Sequence, residues 1–496
     1  MPDSTLKNRI DAAQSANLAL RERRNDRWYP QFHIAAPAGW INDPNGLCFY
    51  QGRYHAYFQH HPHSSQWGSM HWGHVSSEDL VTWTREPIAL APSLEEDRDG
   101  VFSGSAVEGD DGRLYAFYTG HRWRNGINED EGNIQVQCMA VSSDGVTFEK
   151  HGVVVEGPAD LLHFRDPKVW RTEGTWWMVF GACSARNRGE VWLYRSENLT
   201  GWVFDRILYR DPDEDSFMLE CPDFFPLGDH WVLLICPMGR TPRGYTGRNG
   251  HHAGYVVGEW TPGGDFSPLT EYRHLDWGHN FYAPQTFEAP DGRRILFAWM
   301  GAFDRELPTQ ADEWAGQLTV PRVLSLDDRL RLRNRPAAEI ALLRKDSRAF
   351  GTFTASEGVR DVVAGIDTAE IDLVLDLHAT TAERAGLSIG RTSDGAEAAF
   401  VAYDDQMGRV VLDRRGSVTA DRGIRSAPAR ATEDGTLALR VLVDRGSVEV
   451  FLNEGEESIS SFAFPGAGER RVALTVESGE AAVKELTIRP MSGHWG

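Results

Sequence analysis

The first segment of the chain, residues 5–25, carries Ala and Leu at spaced positions among Arg and Lys, with no Gly or Pro. This pattern predicts one amphipathic helix, and we assign residues 1–28 to an N-terminal helical segment. From Trp28 onward, short apolar and aromatic runs are separated by Gly, Pro, Asp and Asn. Such runs are typical of strands joined by turns. The predicted fold class is therefore all-β, preceded by a short helix.

Five segments share a turn glycine followed by an aromatic-rich strand. The glycines are Gly52, Gly112, Gly174, Gly228 and Gly292, separated by 60, 62, 54 and 64 residues. A four-stranded blade with its loops fills such an interval, so five repeats of an all-β unit predict a five-bladed β-propeller. We place it at residues 29–328 and expect it to hold the active site.

Beyond the repeats, residues 329–345 are predicted to form a linker with short helical character. Strands with alternating apolar residues then follow at short intervals, for example at residues 371–377, 437–444 and 447–453. This pattern predicts an antiparallel β-sandwich at residues 346–496. We expect the sandwich to be structural, with an ancillary sugar-binding role as the alternative.

Polar residues recur eight to ten positions before each repeat glycine. They are Asp43, Ser103, Asp166, Glu220 and Tyr282. The strand before each glycine should be the innermost of its blade, and equivalent positions of a propeller lie at one end of the central channel. Three carboxylates are therefore expected to converge there, together with Arg165, which precedes Asp166.

A cluster of carboxylates in an aromatic pocket is suited to glycosidic cleavage. One carboxylate attacks the anomeric carbon, while another keeps a proton and donates it to the leaving oxygen. A like charge nearby helps, because it raises the pKa of one member of the pair.

Six short motifs follow one another in the order WINDPNG at 40–46, WGSMHWGH at 67–74, FSGS at 102–105, RDP at 165–167, ECP at 220–222 and FYA at 281–283. In order and spacing they resemble the motifs of glycoside hydrolase family 32, the invertase-like family. The resemblance implies a five-bladed propeller followed by a sandwich. It also implies a retaining β-fructofuranosidase, which cleaves the fructosyl bond of sucrose or a sucrose-like fructoside through a covalent fructosyl-enzyme intermediate.

The resemblance also assigns residues. Asp43 matches the nucleophile, Glu220 the acid/base and Asp166 the carboxylate that stabilises the transition state. The positions that match the fructose pocket are Asn42, Gln59, Trp67, Phe102, Ser103, Arg165, Tyr282 and Trp299. Two residues, His61 and Asn280, depart from the family's usual motifs, and both bear on the choice of leaving group and acceptor. Cys221 is interpreted as a buried packing residue.

Two other activities stay open. A fructosyltransferase would use the same intermediate with a sugar acceptor, and a non-catalytic carbohydrate-binding protein would keep only the propeller. Sucrose, sucrose 6-phosphate and short fructans are all candidate substrates. A phosphorylated one needs cations at the pocket rim, for which the sequence offers Arg122, Arg124, Arg240 and Arg243.

The composition narrows the class of partner. The chain has 51 basic and 72 acidic residues, a net charge of −21, which disfavours nucleic acid and anionic membranes. We expect a small-molecule substrate, no cofactor and no metal. The alternative of a metal site comes from five histidines that lie close together in sequence: His60, His61, His63, His71 and His74.

The cysteine content and the N-terminus bear on the compartment. Five cysteines without a CxxC pair favour reduced thiols. The N-terminus lacks an apolar secretory segment. A cytoplasmic enzyme is predicted, with a secreted mature form that has lost its signal peptide as the alternative.

Overall fold

The computed structural model describes residues 4–158, 161–418 and 423–495. Its single α-helix within these ranges is α1 (Ser4–Arg21), which buries Leu6, Ala13 and Leu20 against the rest of the protein. The Asn17 side-chain amide on the same face donates to the Ala38 carbonyl at 2.8 Å. The helix is thereby attached to the chain just before the first blade. No helix in the described part of the chain is long and apolar enough to span a membrane.

Five antiparallel sheets form the blades of a propeller, which confirms the predicted fold class. The first three blades are β1 (Gly39–Tyr50), β2 (Arg53–His61), β3 (His71–Ser77) and β4 (Trp83–Arg85), then β5 (Gly100–Glu108), β6 (Leu114–Trp123), β7 (Asn133–Ser142) and β8 (Phe148–Glu156), then β9 (His163–Thr172), β10 (Thr175–Cys183), β11 (Gly189–Ser196) and β12 (Val203–Arg210). Within each of these three blades, consecutive strands are hydrogen-bonded neighbours.

The last two blades carry short additional strands. Blade four contains β13 (Met218–Leu227), β14 (His230–Met238), β15 (Gly254–Glu259), β16 (Ser267–Pro268) and β17 (Arg273–His274), and blade five contains β18 (Tyr282–Glu288), β19 (Arg294–Met300), β21 (Gln317–Leu318), β22 (Arg322–Leu326) and β23 (Leu332–Pro336). Strand β20 (Trp314–Ala315) pairs in parallel with β1 and so joins blade five to blade one. The first strands of neighbouring blades contact one another in a closed ring, which surrounds the central channel.

The segment predicted as a linker, residues 329–345, contains ordered elements. Its first part is β23, the last strand of blade five, and a 3-10 helix at Ala338–Leu343 follows. Leu332 is buried in the propeller core, so the alternating Leu and Arg of this stretch form a strand with one buried face.

The C-terminal domain is one continuous sheet that folds over into two layers. Its strands are β24 (Arg348–Ala349), β25 (Phe353–Ala364), β26 (Ala369–Asp376), β27 (Arg384–Arg391), β28 (Ala399–Asp404), β29 (Arg409–Asp413), β30 (Ile424–Pro428), β31 (Thr436–Asp444), β32 (Ser447–Leu452), β33 (Glu457–Phe462) and β34 (Arg471–Pro490). The first half of β34 pairs with β27 and its second half with β26. One long strand therefore belongs to both layers, and Leu373, Leu387 and Leu474 pack in the core between them.

A buried cluster of charges joins the two domains. Arg322 on β22 is fully buried and contacts Asp276 at 3.2 Å and Glu449 on β32. His33 lies between Glu449 and Asp444, at 2.8 and 2.9 Å from their carboxylate oxygens. Burial lowers the pKa of His33, but the hydrogen bonds and charges of these two carboxylates outweigh it and raise the pKa to about 9. His33 is therefore a cation at neutral pH, and each carboxylate of the cluster contacts Arg322 or His33.

Candidate active site

The innermost strand of every blade has an irregularity in its pairing at the sequence motif. The residues at these irregularities are Asn42 and Asp43 in β1, Phe102 and Ser103 in β5, Asp166 and Pro167 in β9, Cys221 and Pro222 in β13, and Ala283 and Pro284 in β18. A bulge takes its residues out of the ladder and redirects their side chains. The motifs are therefore turned toward the channel at the same level of all five blades.

Three of these bulge residues adopt a backbone conformation that non-glycine residues rarely use. The φ angles are 69° at Asp166, 48° at Cys221 and 49° at Ala283. Such strain is sustained only where the surroundings hold it in place, and it concentrates at functional sites.

Asp43 is nearly buried, with 8% of its surface exposed. Its Oδ1 accepts a hydrogen bond from the Asn42 amide at 3.0 Å, and its Oδ2 accepts one from the Ser103 hydroxyl at 2.6 Å. Burial raises the pKa of Asp43, and these two hydrogen bonds partly offset that effect. The bonds also fix the orientation of the carboxylate.

Asp166 lies next to Asp43 across the side chain of Cys221. The Cys221 backbone N–H donates to Asp166 Oδ2 at 3.0 Å. The Cys221 thiol lies 3.3 Å from Asp43 Oδ2 and 3.6 Å from Asp166 Oδ2. Burial and the charges of Glu220 and Asp43 raise the pKa of Asp166 to about 7, against the opposing effect of Arg165. Asp166 thus keeps a proton to a higher pH than an ordinary aspartate does.

Glu220 is held by a cation and a phenol. Its Oε1 accepts from Arg165 Nη2 at 2.7 Å and from Arg165 Nε at 3.2 Å, and its Oε2 accepts from the Tyr282 hydroxyl. Burial raises the pKa of Glu220, but the Arg165 charge and the bond from Tyr282 outweigh it and lower the pKa. Burial and the Glu220 charge raise the pKa of Tyr282 well above its usual range, so its hydroxyl keeps the proton that it donates.

The four remaining pocket residues do not bond to the carboxylates. Gln59 donates to the Val101 carbonyl at 3.0 Å, beside Phe102. Trp67 is 42% exposed and packs edge-on against Phe102, with ring centroids 6.1 Å apart. Trp299 pairs with Tyr282 across β18 and β19. Phe102 and Trp299 thus adjoin Ser103 and Tyr282, whose hydroxyls donate to the carboxylates.

Sequence reasoning missed several groups that hold the carboxylates. Cys221, interpreted as packing, contacts two of them, and the Asp166 N–H donates to the Thr119 hydroxyl at 2.9 Å. Lys168 is buried behind the site, 3.1 Å from Asp223 Oδ2.

Two of the histidines that lie close together in sequence, and both residues that depart from the family motifs, have hydrogen-bond partners. Nδ1 of His60 hydrogen-bonds the Trp40 carbonyl, and Nδ1 of His61 hydrogen-bonds that of Gln66, both at 2.8 Å. No group of three or more His, Cys, Asp or Glu side chains within the described ranges could hold a metal ion. Asn280 donates to the Gly301 carbonyl at 2.9 Å, behind the loop that follows β19.

Comparison with known proteins identifies the family that this chain resembles. The model of the glycosyl hydrolases family 32 N-terminal domain matches residues 33–336, and that of the family 32 C-terminal domain matches residues 339–490. The chain is 44% identical over 477 residues to a sucrose-6-phosphate hydrolase of Escherichia coli, covering 96% of this chain and 98% of the relative. It is 43% identical over 484 residues to a raffinose invertase of Escherichia coli, covering 97% and 99%.

The fold is similar to that of a solved member. The Bombyx mori GH32 β-fructofuranosidase superposes with a TM-score of 0.85 at 31% identity, covering 98% of this chain and 99% of that one. A mutant of the same enzyme in complex with sucrose superposes with a TM-score of 0.84.

Proposed function

Because the chain belongs to glycoside hydrolase family 32, we propose that the carboxylates in its propeller channel cleave a fructosyl bond by double displacement. The resemblance of the six motifs is confirmed, and the chain is a glycoside hydrolase of the β-fructofuranosidase class that acts on sucrose or a sucrose-like fructoside. The roles of individual residues below are our assignment.

Asp43 is the nucleophile in this proposal. A nucleophile must be ionised and held in one orientation, and the hydrogen bonds from Asn42 and Ser103 favour both. Its carboxylate attacks C2 of the fructosyl unit, the bond from C2 to the glycosidic oxygen breaks, and a fructosyl ester of Asp43 forms.

Glu220 is the acid in the first step and the base in the second. It gives a proton to the departing glucosyl oxygen, and it later takes one from the water that opens the Asp43 ester. Two displacements at C2 give net retention. The ligand-free Glu220 is held as a carboxylate by Arg165 and Tyr282, so it must take up a proton before the first step.

Asp166 is the source of that proton in our proposal. Because burial and the charges of Glu220 and Asp43 raise its pKa to about 7, Asp166 holds a proton below that pH. A bound sugar displaces water from the site, and this desolvation raises the pKa of Glu220, which favours the proton there. Asp166, once ionised, stabilises the positive charge that develops on the fructosyl ring.

The observation that carries the proposal is the fixed arrangement of Asp43, Asp166 and Glu220 around Cys221 and Arg165. The test is product analysis with purified protein and sucrose. Equal release of glucose and fructose supports hydrolysis, and glucose in large excess over fructose indicates transfer to a sugar acceptor. Failure to cleave sucrose, sucrose 6-phosphate or raffinose would overturn the proposal.

The substrate within this class and the compartment are also proposals. The names of the relatives point to sucrose 6-phosphate and raffinose, both of which extend sucrose at the 6-position of its glucosyl unit. We propose a cytoplasmic location, because the five cysteines are all free and buried, which suits a reducing compartment. The proposed partner is a small fructoside alone.

A further inference from the structure

A second set of polar side chains follows the catalytic motifs on the innermost strands of the propeller. Each lies one or two residues after the bulge of its blade, and all are buried: Asn45, Ser105, Lys168, Asp223 and Gln285. We call these five residues the polar ring. The hydrogen bonds that Asp43, Asp166 and Glu220 accept come from other residues. The ring therefore has no direct part in the mechanism proposed above.

The first two members of the polar ring connect each blade with the next. Asn45 Oδ1 in blade one accepts a hydrogen bond from the Gly104 N–H in blade two at 3.2 Å. Ser105 Oγ in blade two accepts one from the Val169 N–H in blade three at 3.0 Å. These bonds run between innermost strands, which are not paired in a common sheet. They therefore fix how neighbouring blades sit against each other around the channel.

Blades three, four and five are connected by a buried ion pair. Lys168 Nζ in blade three lies 3.1 Å from Asp223 Oδ2 in blade four, and it also donates to the Thr286 carbonyl in blade five. The same Asp223 oxygen accepts from the Thr286 N–H at 2.6 Å and from its hydroxyl at 2.8 Å. Lys168 and Asp223 lie on the strands that carry Asp166 and Glu220. The ion pair thus links the strands of two catalytic carboxylates.

Gln285 connects the polar ring to the active site. Its Oε1 accepts from Lys168 Nζ at 3.4 Å, and its Nε2 donates to the Cys221 carbonyl at 3.0 Å. Cys221 in turn donates its backbone N–H to Asp166 and places its thiol 3.3 Å from Asp43. The φ angle of 48° at Cys221 is a strained one, and such a conformation persists only where its surroundings hold it. The bond from Gln285 supplies part of that restraint.

We propose that Gln285 is a positioning residue for the reaction and that it acts through Cys221. By holding the Cys221 carbonyl, Gln285 keeps the N–H and the thiol of that residue directed at Asp166 and Asp43. The inference rests on the proposed function, because the position of Cys221 affects the rate only if these carboxylates carry the reaction. A residue that served packing alone would affect stability and leave the rate of the folded enzyme unchanged.

The test measures kcat and KM on sucrose for wild type and Gln285→Met. Methionine has a similar length and flexibility but cannot donate to the Cys221 carbonyl. A displacement of about 1 Å near the chemistry can cost about 10²-fold in rate. We expect kcat to fall by about ten- to a hundredfold while KM stays within about threefold, because Asp43 and Asp166 are assigned to act on the transition state.

Gln317→Met is the matched control. Gln317 is also a buried glutamine, and its Nε2 donates to Ser447 Oγ at 2.9 Å between the two domains. The same substitution there should lower the denaturant midpoint and leave kcat at the wild-type value. Gln285→Asn is a second variant, which keeps an amide but shortens the side chain by one methylene. It should show the same loss of kcat even if Gln285→Met does not fold.

Three outcomes separate the possibilities. A kcat within about twofold of wild type in the folded Gln285 variants would overturn the inference, and so would a rise in KM with kcat unchanged. A fall of kcat in Gln317→Met as large as that in Gln285→Met would overturn it as well, because the loss would then follow from destabilisation. Wild type that cleaves neither sucrose, sucrose 6-phosphate nor raffinose would instead refute the proposed function.

Discussion

The hydrogen bond from Tyr282 to Glu220 gives a quantitative test of the acid role. Tyr282→Phe removes one hydroxyl and keeps the ring that packs against His251. The bond stabilises the charged form of Glu220, so its loss must raise the pKa of that carboxyl. A hydrogen bond to a charged group contributes about 1.5–3 kcal/mol. Since one pKa unit corresponds to about 1.36 kcal/mol, the rise should be about one to two units.

The pH profile of kcat/KM reports this change. In wild type, activity should fall above about pH 7, where the carboxyl cluster loses the proton held with the pKa of Asp166. In Tyr282→Phe, the pKa of Glu220 rises toward that of Asp166. Glu220 then holds a larger share of the proton, and the alkaline limb should lie at the same pH as in wild type or higher. Initial rates on sucrose from about pH 4 to pH 9 measure it.

Tyr403→Phe is the control for this experiment. Tyr403 is also a tyrosine facing a carboxylate, with its hydroxyl 3.4 Å from Asp405 in the sandwich, and its removal should leave the profile unchanged. An alkaline limb in Tyr282→Phe that moves to lower pH would refute the assignment of Glu220 as the acid.

Three further predictions concern the nucleophile and the buried charges. Asp43→Asn should lower kcat on sucrose on the order of 10⁴-fold with an unchanged circular dichroism spectrum; a near-normal rate would remove Asp43 from the mechanism. Lys168→Met leaves the carboxylate of Asp223 buried without its cation, which should destabilise the protein by about 3–5 kcal/mol, seen as a lower denaturant midpoint that Asp223→Asn partly restores. The pKa of His33 is raised to about 9, so its charge pairs stabilise the folded protein fully below about pH 6.5 and lose this effect as the pH rises through about 9. The denaturant midpoint of wild type should therefore exceed that of His33→Gln at pH 7, and the difference should narrow by pH 10.

The five-bladed propeller and the position of its carboxylates were predicted mainly from the spacing of the repeat glycines and the offset of the polar residues before them. A propeller repeats one unit around an axis, so equal offsets along the sequence become equal heights in the channel. This is why Asp43, Asp166 and Glu220 could be placed together although they are far apart in the chain. Ser103, Arg165 and the bulges fit the same geometry, with each bulge at its motif.

The contacts around Cys221 could not be predicted in this way. They depend on a φ of 48° at Cys221, which sets the direction of both its thiol and its N–H, and no spacing rule encodes that angle. The cluster of Arg322, Glu449 and His33 likewise depends on how two domains meet, since these residues belong to separate repeats and layers. The boundary near residue 329 was difficult for a simpler reason: a short strand of alternating Leu and Arg resembles a connector until a neighbouring strand covers Leu332.

The division of the site between domains has a consequence for how its specificity can change. The carboxylates to which we assign the fructosyl unit are held by propeller residues. The side of the site at Tyr282 depends on the sandwich as well. Asn280, two residues before Tyr282, accepts hydrogen bonds from Arg414 and from the Phe462 N–H of the sandwich. Substitutions in the hairpin of β29 and β30 should therefore alter which leaving group is accepted, while the nucleophile and its hydrogen bonds stay as they are.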